Sequence, residues 1–340
     1  MLKAFRPHGL PTLVALLCAA TGQAQTDSLF LANGNILVGE LKNMAKNVAT
    51  METPYSKSDF TIEWDQVRMA RTTSLYLTET TGGERITMRL HSPDADRVLL
   101  INNGDTLTAR LADIVFLRSV KGDFWGRASA ALDLGYNFTK ANNLQQFSLY
   151  SQLGYLTDKW SGNLVFNSVR STQDNAEDIR RSDLTIGYRR LLPYRLFAGA
   201  DISFLANTEQ RLDLRSSIQP LFGRYFVRSN TWYFLFFAGA AATEEKFTSE
   251  AGDRSSFEGL FGLELNLFNI GDLGLFLSSK ALPSFTESGR WRMDHRFNVT
   301  YDLPRDFYIR AGITVNYDNQ PVEGGTETDY VLQTGFGWKL

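Results

Sequence analysis

From Phe124 onward the chain is written in long segments whose side chains alternate between two textures, and this alternation restricts the fold more than any other feature. In the first segment one parity reads Phe124, Gly126, Ala128, Ala130, Leu132, Leu134, Tyr136, Phe138, and the other Trp125, Arg127, Ser129, Ala131, Asp133, Gly135, Asn137, Thr139. A period of two with one apolar face is the pattern of a strand between unlike environments. Strands of globular proteins average about 5–6 residues, whereas a tilted membrane strand needs about 9–11 in the apolar zone. Similar segments follow at 144–157, 159–171, 180–192, 194–206, 211–228, 230–243, 255–268, 271–283, 289–302, 305–318 and 327–340, which makes twelve. Alternation alone also suits a soluble sandwich. The connections distinguish the two. Tight turns at Thr157-Asp158, Pro193, Ser229, Ile270-Gly271 and Pro304 alternate with longer links such as Thr172–Ile179, Glu244–Arg254 and Asn319–Thr326, as the short and long loops of an outer-membrane barrel do.

Composition narrows the class further. Past the N-terminus no apolar run reaches the roughly 18–20 residues of a spanning helix. Aromatics at 13%, with 27 Gly and only 9 Pro, suit strands rather than disorder. A net charge of −2, from 35 basic and 37 acidic residues, gives no global attraction for nucleic acid.

Residues 1–24 read as a signal peptide: Lys3 and Arg6, an apolar stretch Leu10–Ala20, then Gly22 and Ala24 before a cleavage site. The one cysteine, Cys18, lies in that apolar stretch. Leu16-Leu17 ahead of it lacks the small residue of a lipoprotein signal, so the mature chain is expected to have neither disulfide nor thiol chemistry.

Residues 27–120 carry a pattern repeated at an offset of 47 residues, with Trp64–Arg71 matching Leu111–Arg118, Met51 matching Val98 and Phe60 matching Leu107. Two such copies predict a duplicated SH3/Sm-like β domain, a tandem pair of small barrels. It is either a spacer or a binding module for peptide or glycan. His91, Asp94 and Asp96 sit in a Pro-containing turn and read as solvated. The sequence implies no metal and no cofactor.

Aromatics gather near the tight turns (Trp125, Tyr155, Trp160, Tyr188, Tyr194, Tyr225, Trp232, Phe268, Tyr301, Phe307, Trp338), and a second set (Phe138, Phe166, Phe204, Phe257, Trp291, Tyr317) stands at the other height. Two such belts mark the borders of a lipid layer. The chain ends on Gln333, Gly335, Trp338 and Leu340, which resembles the polar-x-Gly-x-x-aromatic-x-hydrophobic last strand of bacterial outer-membrane proteins. That resemblance implies recognition by the barrel-insertion machinery. Leu340 replaces the usual terminal Phe.

Parity places Arg127, Asp133, Asp183, Arg189, Asp201, Asp213, Arg215, Glu258, Glu264, Lys280, Arg292, Asp294, Arg296 and Arg310 on the inward face. Seven cations and seven anions there describe either a cross-lumen network or the eyelet of a narrow anion channel. The acidic links (Asp174, Glu177, Asp178; Glu244, Glu245, Glu250, Asp253; Glu323, Glu327, Asp329) read as solvated loops. Twelve-stranded phospholipases use a lipid-facing Ser and His at neighbouring strand positions. Here the outward histidine is His295, and residue 297 on the same face is Phe297 rather than serine.

The mature chain also resembles a family of unknown biochemical function that includes salt-induced outer-membrane proteins. The stretches that carry this are Asn33-Gly34-Asn35 through Gly39-Glu40-Leu41-Lys42, Tyr55-Ser56-Lys57-Ser58-Asp59-Phe60, and the C-terminal barrel at 123–340. The expectation is an all-β chain: a 12-stranded antiparallel transmembrane β-barrel in the outer membrane of a Gram-negative bacterium, with residues 27–120 in the periplasm. Its function would be a narrow passive channel or an envelope-stabilising scaffold, in contact with outer-membrane lipid and with peptidoglycan or a periplasmic protein. The alternative is a lipid- or glycan-modifying enzyme.

Overall fold

The computed structural model describes residues 26–95, 97–120, 124–140, 143–174, 177–208, 211–247, 252–304, 307–321 and 327–338. The expected signal peptide lies outside them. The chain is all β apart from single helical turns, in two sheets of ten and twelve strands.

The first sheet repeats itself strand for strand. One copy holds β1 (Asp27–Leu31), β2 (Ile36–Ala45), β3 (Val48–Glu52), β4 (Phe60–Glu63), a 3-10 turn at Trp64–Gln66, and β5 (Val67–Arg71). The other holds β6 (Tyr76–Thr80), β7 (Arg85–His91), β8 (Val98–Asn102), β9 (Asp105–Ala109), a 3-10 turn at Leu111–Asp113, and β10 (Ile114–Ser119). Both copies turn between their first two strands on a glycine of positive φ, Gly34 (+87°) and Gly83 (+85°), a region that a Cβ disfavours.

The copies do not make the expected tandem pair of barrels. The pairings β1–β5, β5–β7, β7–β6, β6–β10, β10–β2 and β2–β1 close one ring to which each copy gives three strands. The reason is visible in the core. Leu29, Leu41, Met44, Met51, Trp64, Tyr76, Leu90, Leu100, Ile114 and Leu117 form one buried cluster drawn from both copies, too few residues per copy to fill two barrels. Asp27 is sealed inside this core, where its carboxylate accepts from Leu41 N at 3.1 Å, Thr73 N at 2.9 Å and the Tyr76 hydroxyl. Burial and the Asp27 charge push the Tyr76 phenol well above its ordinary pKa.

The second sheet is an antiparallel meander of twelve strands, each paired with its neighbours in sequence: β11 (Ala128–Thr139), β12 (Leu144–Leu156), β13 (Trp160–Thr172), β14 (Ile179–Leu192), β15 (Leu196–Asn207), β16 (Leu212–Arg228), β17 (Trp232–Phe247), β18 (Arg254–Ile270), β19 (Leu273–Pro283), β20 (Trp291–Asp302), β21 (Phe307–Asp318) and β22 (Thr328–Trp338). Among the described residues the ladder runs from β11 to β22 and no pairing joins those two strands. The sheet is nevertheless strongly curled. Arg254 on β18 reaches the carbonyl of Gln320 beyond β21 at 3.0 Å, and Arg290 before β20 reaches Glu245 on β17 at 3.2 Å.

Two departures from strict alternation matter. Phe124–Arg127 forms a helical turn, α1, rather than the start of the first strand. At the start of β16 a bulge between Leu212 and Leu214 removes Asp213 from the inward row and seats Leu212 there, 2% exposed.

Candidate functional site

The register divides the curled sheet into a concave and a convex face. The concave face of β15–β19 is packed in layers. Nearest the long links is a knot of charge: Arg215 Nε donates to Glu245 at 2.7 Å, Arg290 bridges Glu245 (3.2 Å) and Asp318 (2.6 Å), and Arg292 Nε donates to Glu258 at 2.8 Å. Glu245, Glu258 and Arg290 are each at most 1% exposed. Thr243 donates to Glu258 at 3.3 Å. Below the knot lies an apolar layer of Leu221, Phe237, Ala241, Leu260 and Leu282, with Phe197 and Leu235. Gly262 is required here, because any Cβ would occupy the Phe237 ring. Beneath this layer Glu264 accepts from the Tyr233 hydroxyl, and the Tyr225 ring packs edge-on to that of Tyr233.

The concave face of β11–β14 has a different texture, with small and polar positions such as Ser129, Ala131, Gln152, Gly154, Asn163 and Asn167. Its charges are locally paired: Arg189 grips Asp201 through both terminal nitrogens at 2.7 and 2.8 Å, and Asn167 donates to Asp183 at 2.7 Å. Asp133 is exposed opposite Tyr150. Asp294 and Arg296 share the inward row of β20, facing Lys280 and Ser278. Lys280 lies 6.0 Å from the Phe237 ring, and Arg310 lies 5.4 Å from the Tyr308 ring. These side chains therefore split between a tightly packed half and a more polar, more exposed half of the concave face.

Arg127 is not an interior residue. Because α1 replaces the strand start, its guanidinium turns to Asp158 in the tight turn after β12, at 3.2 Å. That contact belongs to a seam where the first sheet caps the tight-turn end of the second. Arg85 donates to the Thr157 carbonyl at 3.1 Å, Thr87 to Asp158 at 2.7 Å, and Asn230 to the Ile114 carbonyl at 2.8 Å. At its centre Glu79, 2% exposed, pairs with both Arg85 and Arg228, and Arg228 lies 4.3 Å over the Tyr225 ring. Tyr225 accordingly faces inward and is not part of an outer aromatic row.

The convex face is apolar and uncovered. Leu132, Leu134, Tyr136, Phe138, Phe222, Phe236, Phe261, Ile309, Leu332 and Phe336 are all exposed on it. Near the tight turns its rings form a chain, with Phe124–Tyr155, Tyr155–Trp160 and Trp160–Tyr188 centroids 4.9, 5.5 and 5.9 Å apart. In β22, Gln333, Gly335 and Trp338 pair with Gly312, Arg310 and Phe307, while Leu340 lies outside the described residues.

The sequence reading missed two features. Glu245 reads as a loop acid because the expected strand ends at 243 whereas β17 continues to Phe247. Arg290 is missing from the inward row although it shares the parity of Arg292 in the expected segment 289–302; β20 itself begins at Trp291. The serine next to His295 lies across the sheet rather than along it: Ser279 is its register partner on β19, and Ser279 Oγ is 2.8 Å from His295 Nδ1. The neighbouring convex positions Leu263, Leu277, Ala281, Met293, Phe297 and Val315 are apolar. Among the described residues no further group bonds the histidine.

No curated protein and no solved structure matches the chain. A family model does, over residues 132–340, which covers the whole meander from the middle of β11. On that match the chain belongs to the family described as protein of unknown function, DUF481.

Proposed function

We propose that this is a non-enzymatic outer-membrane β-barrel that serves as an envelope scaffold, holding the six-stranded ring rigidly against its periplasmic mouth. The observation that carries this is the seam. A carboxylate buried between two arginines, Glu79 with Arg85 and Arg228, is a costly thing to leave between loosely tethered domains. The membrane reading is supported by the convex face. So large an uncovered apolar surface needs a cover, and lipid fits strands of this length with aromatic rings at one height. In lipid the backbone groups of β11 and β22 must pair, so the barrel closes between them. The packed layer on the concave face of β15–β19 supports a scaffold over a wide channel.

Two measurements test the proposal. Mature protein should be recovered from the outer-membrane fraction only with detergent, and in a planar bilayer it should show no sustained openings. Recovery in the aqueous fraction, or steady large-conductance openings, would overturn it.

One observation favours a second reading, acyl hydrolysis at the membrane face by Ser279 and His295. A nucleophilic serine needs its histidine oriented by a third group and donors for the oxyanion. The surroundings of this pair are apolar, so its hydrogen bond is read as two polar groups satisfying each other. Lipid hydrolysis that disappears in both Ser279→Ala and His295→Ala would reverse the ranking.

A further inference from the structure

On the convex face near the long links, Arg170 of β13 and Arg180 of β14 are direct register partners. Like charges placed opposite each other across a sheet repel. One carboxylate offsets them: a single oxygen of Asp178 accepts from Arg170 at 3.2 Å and from Arg180 at 2.9 Å. The Arg180 hydrogen bond holds the Asp178 carboxyl below the usual carboxylate range, so it stays ionised. The three groups still sum to one positive charge, and both arginine side chains remain 58% exposed.

Their height on the barrel is informative. Two outward positions further along β13 stands Phe166, whose partner on β14 is Leu184. Between the arginines and those apolar residues lies one hydrogen-bonded polar pair, Ser168 with Ser182 at 2.9 Å. The face thus passes from cationic to hydroxyl to apolar within a few residues. Beside it, starting one strand away, a groove of about 430 Å³ is walled by Ile202, Phe204, Ile218, Ala242 and Phe257. Phe204 is the register partner of Leu184, so the groove opens at the apolar level.

We infer that Arg170 and Arg180 form a site for the phosphate of a membrane lipid, with one of its acyl chains lying in the neighbouring groove. Forked guanidinium donors match phosphate oxygens, and a cationic pair set just above an apolar surface is where a lipid phosphate would be. Charge complementarity selects the occupant: the residual positive charge calls for an anion, and the adjoining groove calls for a hydrocarbon chain. This inference rests on the membrane reading above.

The test is native mass spectrometry of the detergent-extracted full chain with added phosphatidic acid, and separately with diacylglycerol of the same acyl chains. Phosphatidic acid should be retained by the native chain and about tenfold less by R170Q/R180Q, while diacylglycerol is held weakly by both. The variant R170K/R180K keeps the charge but loses the fork, and should fall between them. Equal retention of the two lipids by the native chain, no loss in R170Q/R180Q, or full displacement by inorganic phosphate alone would each overturn the site. A variant that no longer folds is recognised by loss of its β-sheet circular dichroism, and R170K/R180K then decides by whether it discriminates the lipids less well than the native chain. A chain found without detergent in the aqueous fraction would instead sink the membrane reading.

Discussion

The indole nitrogen of Trp64 donates to the carbonyl oxygen of Leu111 at 3.0 Å, and the two residues stand 47 positions apart, at the same place in the two copies of the six-stranded ring. Each opens the 3-10 turn that leads into the last strand of its copy. One copy is thus pinned to the other at the point where the strands cross over.

Neither copy should fold without the other. A fragment of residues 26–73 lacks β7 and β10, which flank β5 and β2, and so exposes two edges together with Trp64. Circular dichroism and amide dispersion should show it unfolded, whereas residues 26–120 should give a single cooperative transition. Trp64→Phe in the whole chain should cost about 1–3 kcal/mol, the penalty for leaving a buried carbonyl without its donor.

The seam predicts an asymmetry between substitutions. Glu79→Ala strands two arginines whose side chains are 7% and 16% exposed, and should destabilise the docked arrangement by about 3–5 kcal/mol. Glu79→Gln should cost less. Hydrogen exchange in β6, β7 and the 157–159 turn reads the effect. Unchanged protection in Glu79→Ala would mean that the ring is not held there.

Tyr76 gives the ring a defined alkaline limit. Its pKa is raised in the folded chain above the ordinary 10.0, so the unfolded state alone releases this proton as pH climbs past that value. Stability is therefore fully present below pH 10 and declines above it, by the linkage between proton release and folding. Tyr76→Phe should flatten that decline while lowering stability at neutral pH, because Asp27 and the Leu41 carbonyl lose a donor. Hydrogen exchange of residues 27–119 across pH 8 to 11 checks both signs.

Closure between β11 and β22 is open to a direct measurement, because the one cysteine, Cys18, lies within the expected signal peptide, whose removal would leave the chain free of thiols. Cysteine pairs scanned over Ser129–Ala131 and Leu332–Gly335 should include at least one that oxidises in the membrane and changes gel mobility. No cross-link anywhere in the scan would mean that the sheet stays open.

Opening the interior should require breaking the charge knot. Arg290→Ala together with Arg292→Ala leaves buried Glu258 with no cation and buried Glu245 with Arg215 alone. Brief conductance events are expected in that variant and not in the native chain. A silent variant would show that the apolar layer of Leu221, Phe237 and Leu260 is sufficient as a seal.

Much of this architecture can be read from periodicity alone, since two unlike environments impose a period of two along every strand of the meander. What eludes such a reading is anything carried by a break in the period. Asp213 falls in a bulge and Arg127 in a helical turn, and in each case the side chain goes where the local backbone sends it. Pairing between strands is likewise invisible to a search along one strand, so Phe297 conceals the fact that Ser279 faces His295. In the ring, the repeat is legible through matched positions such as Trp64 and Leu111, but the exchange of strands between copies is not. It depends on which edges meet across the copies, β5 with β7 and β10 with β2, which no pattern along a single strand records.

That exchange has a consequence for the order of assembly. In the proposed exported chain, emerging N-terminus first, the cycle of six strands is incomplete until Ser119 has emerged, and every residue of the meander follows it. On that reading the ring can be complete before the first hairpin of the proposed cylinder, giving the tight turns a solid surface on which to gather.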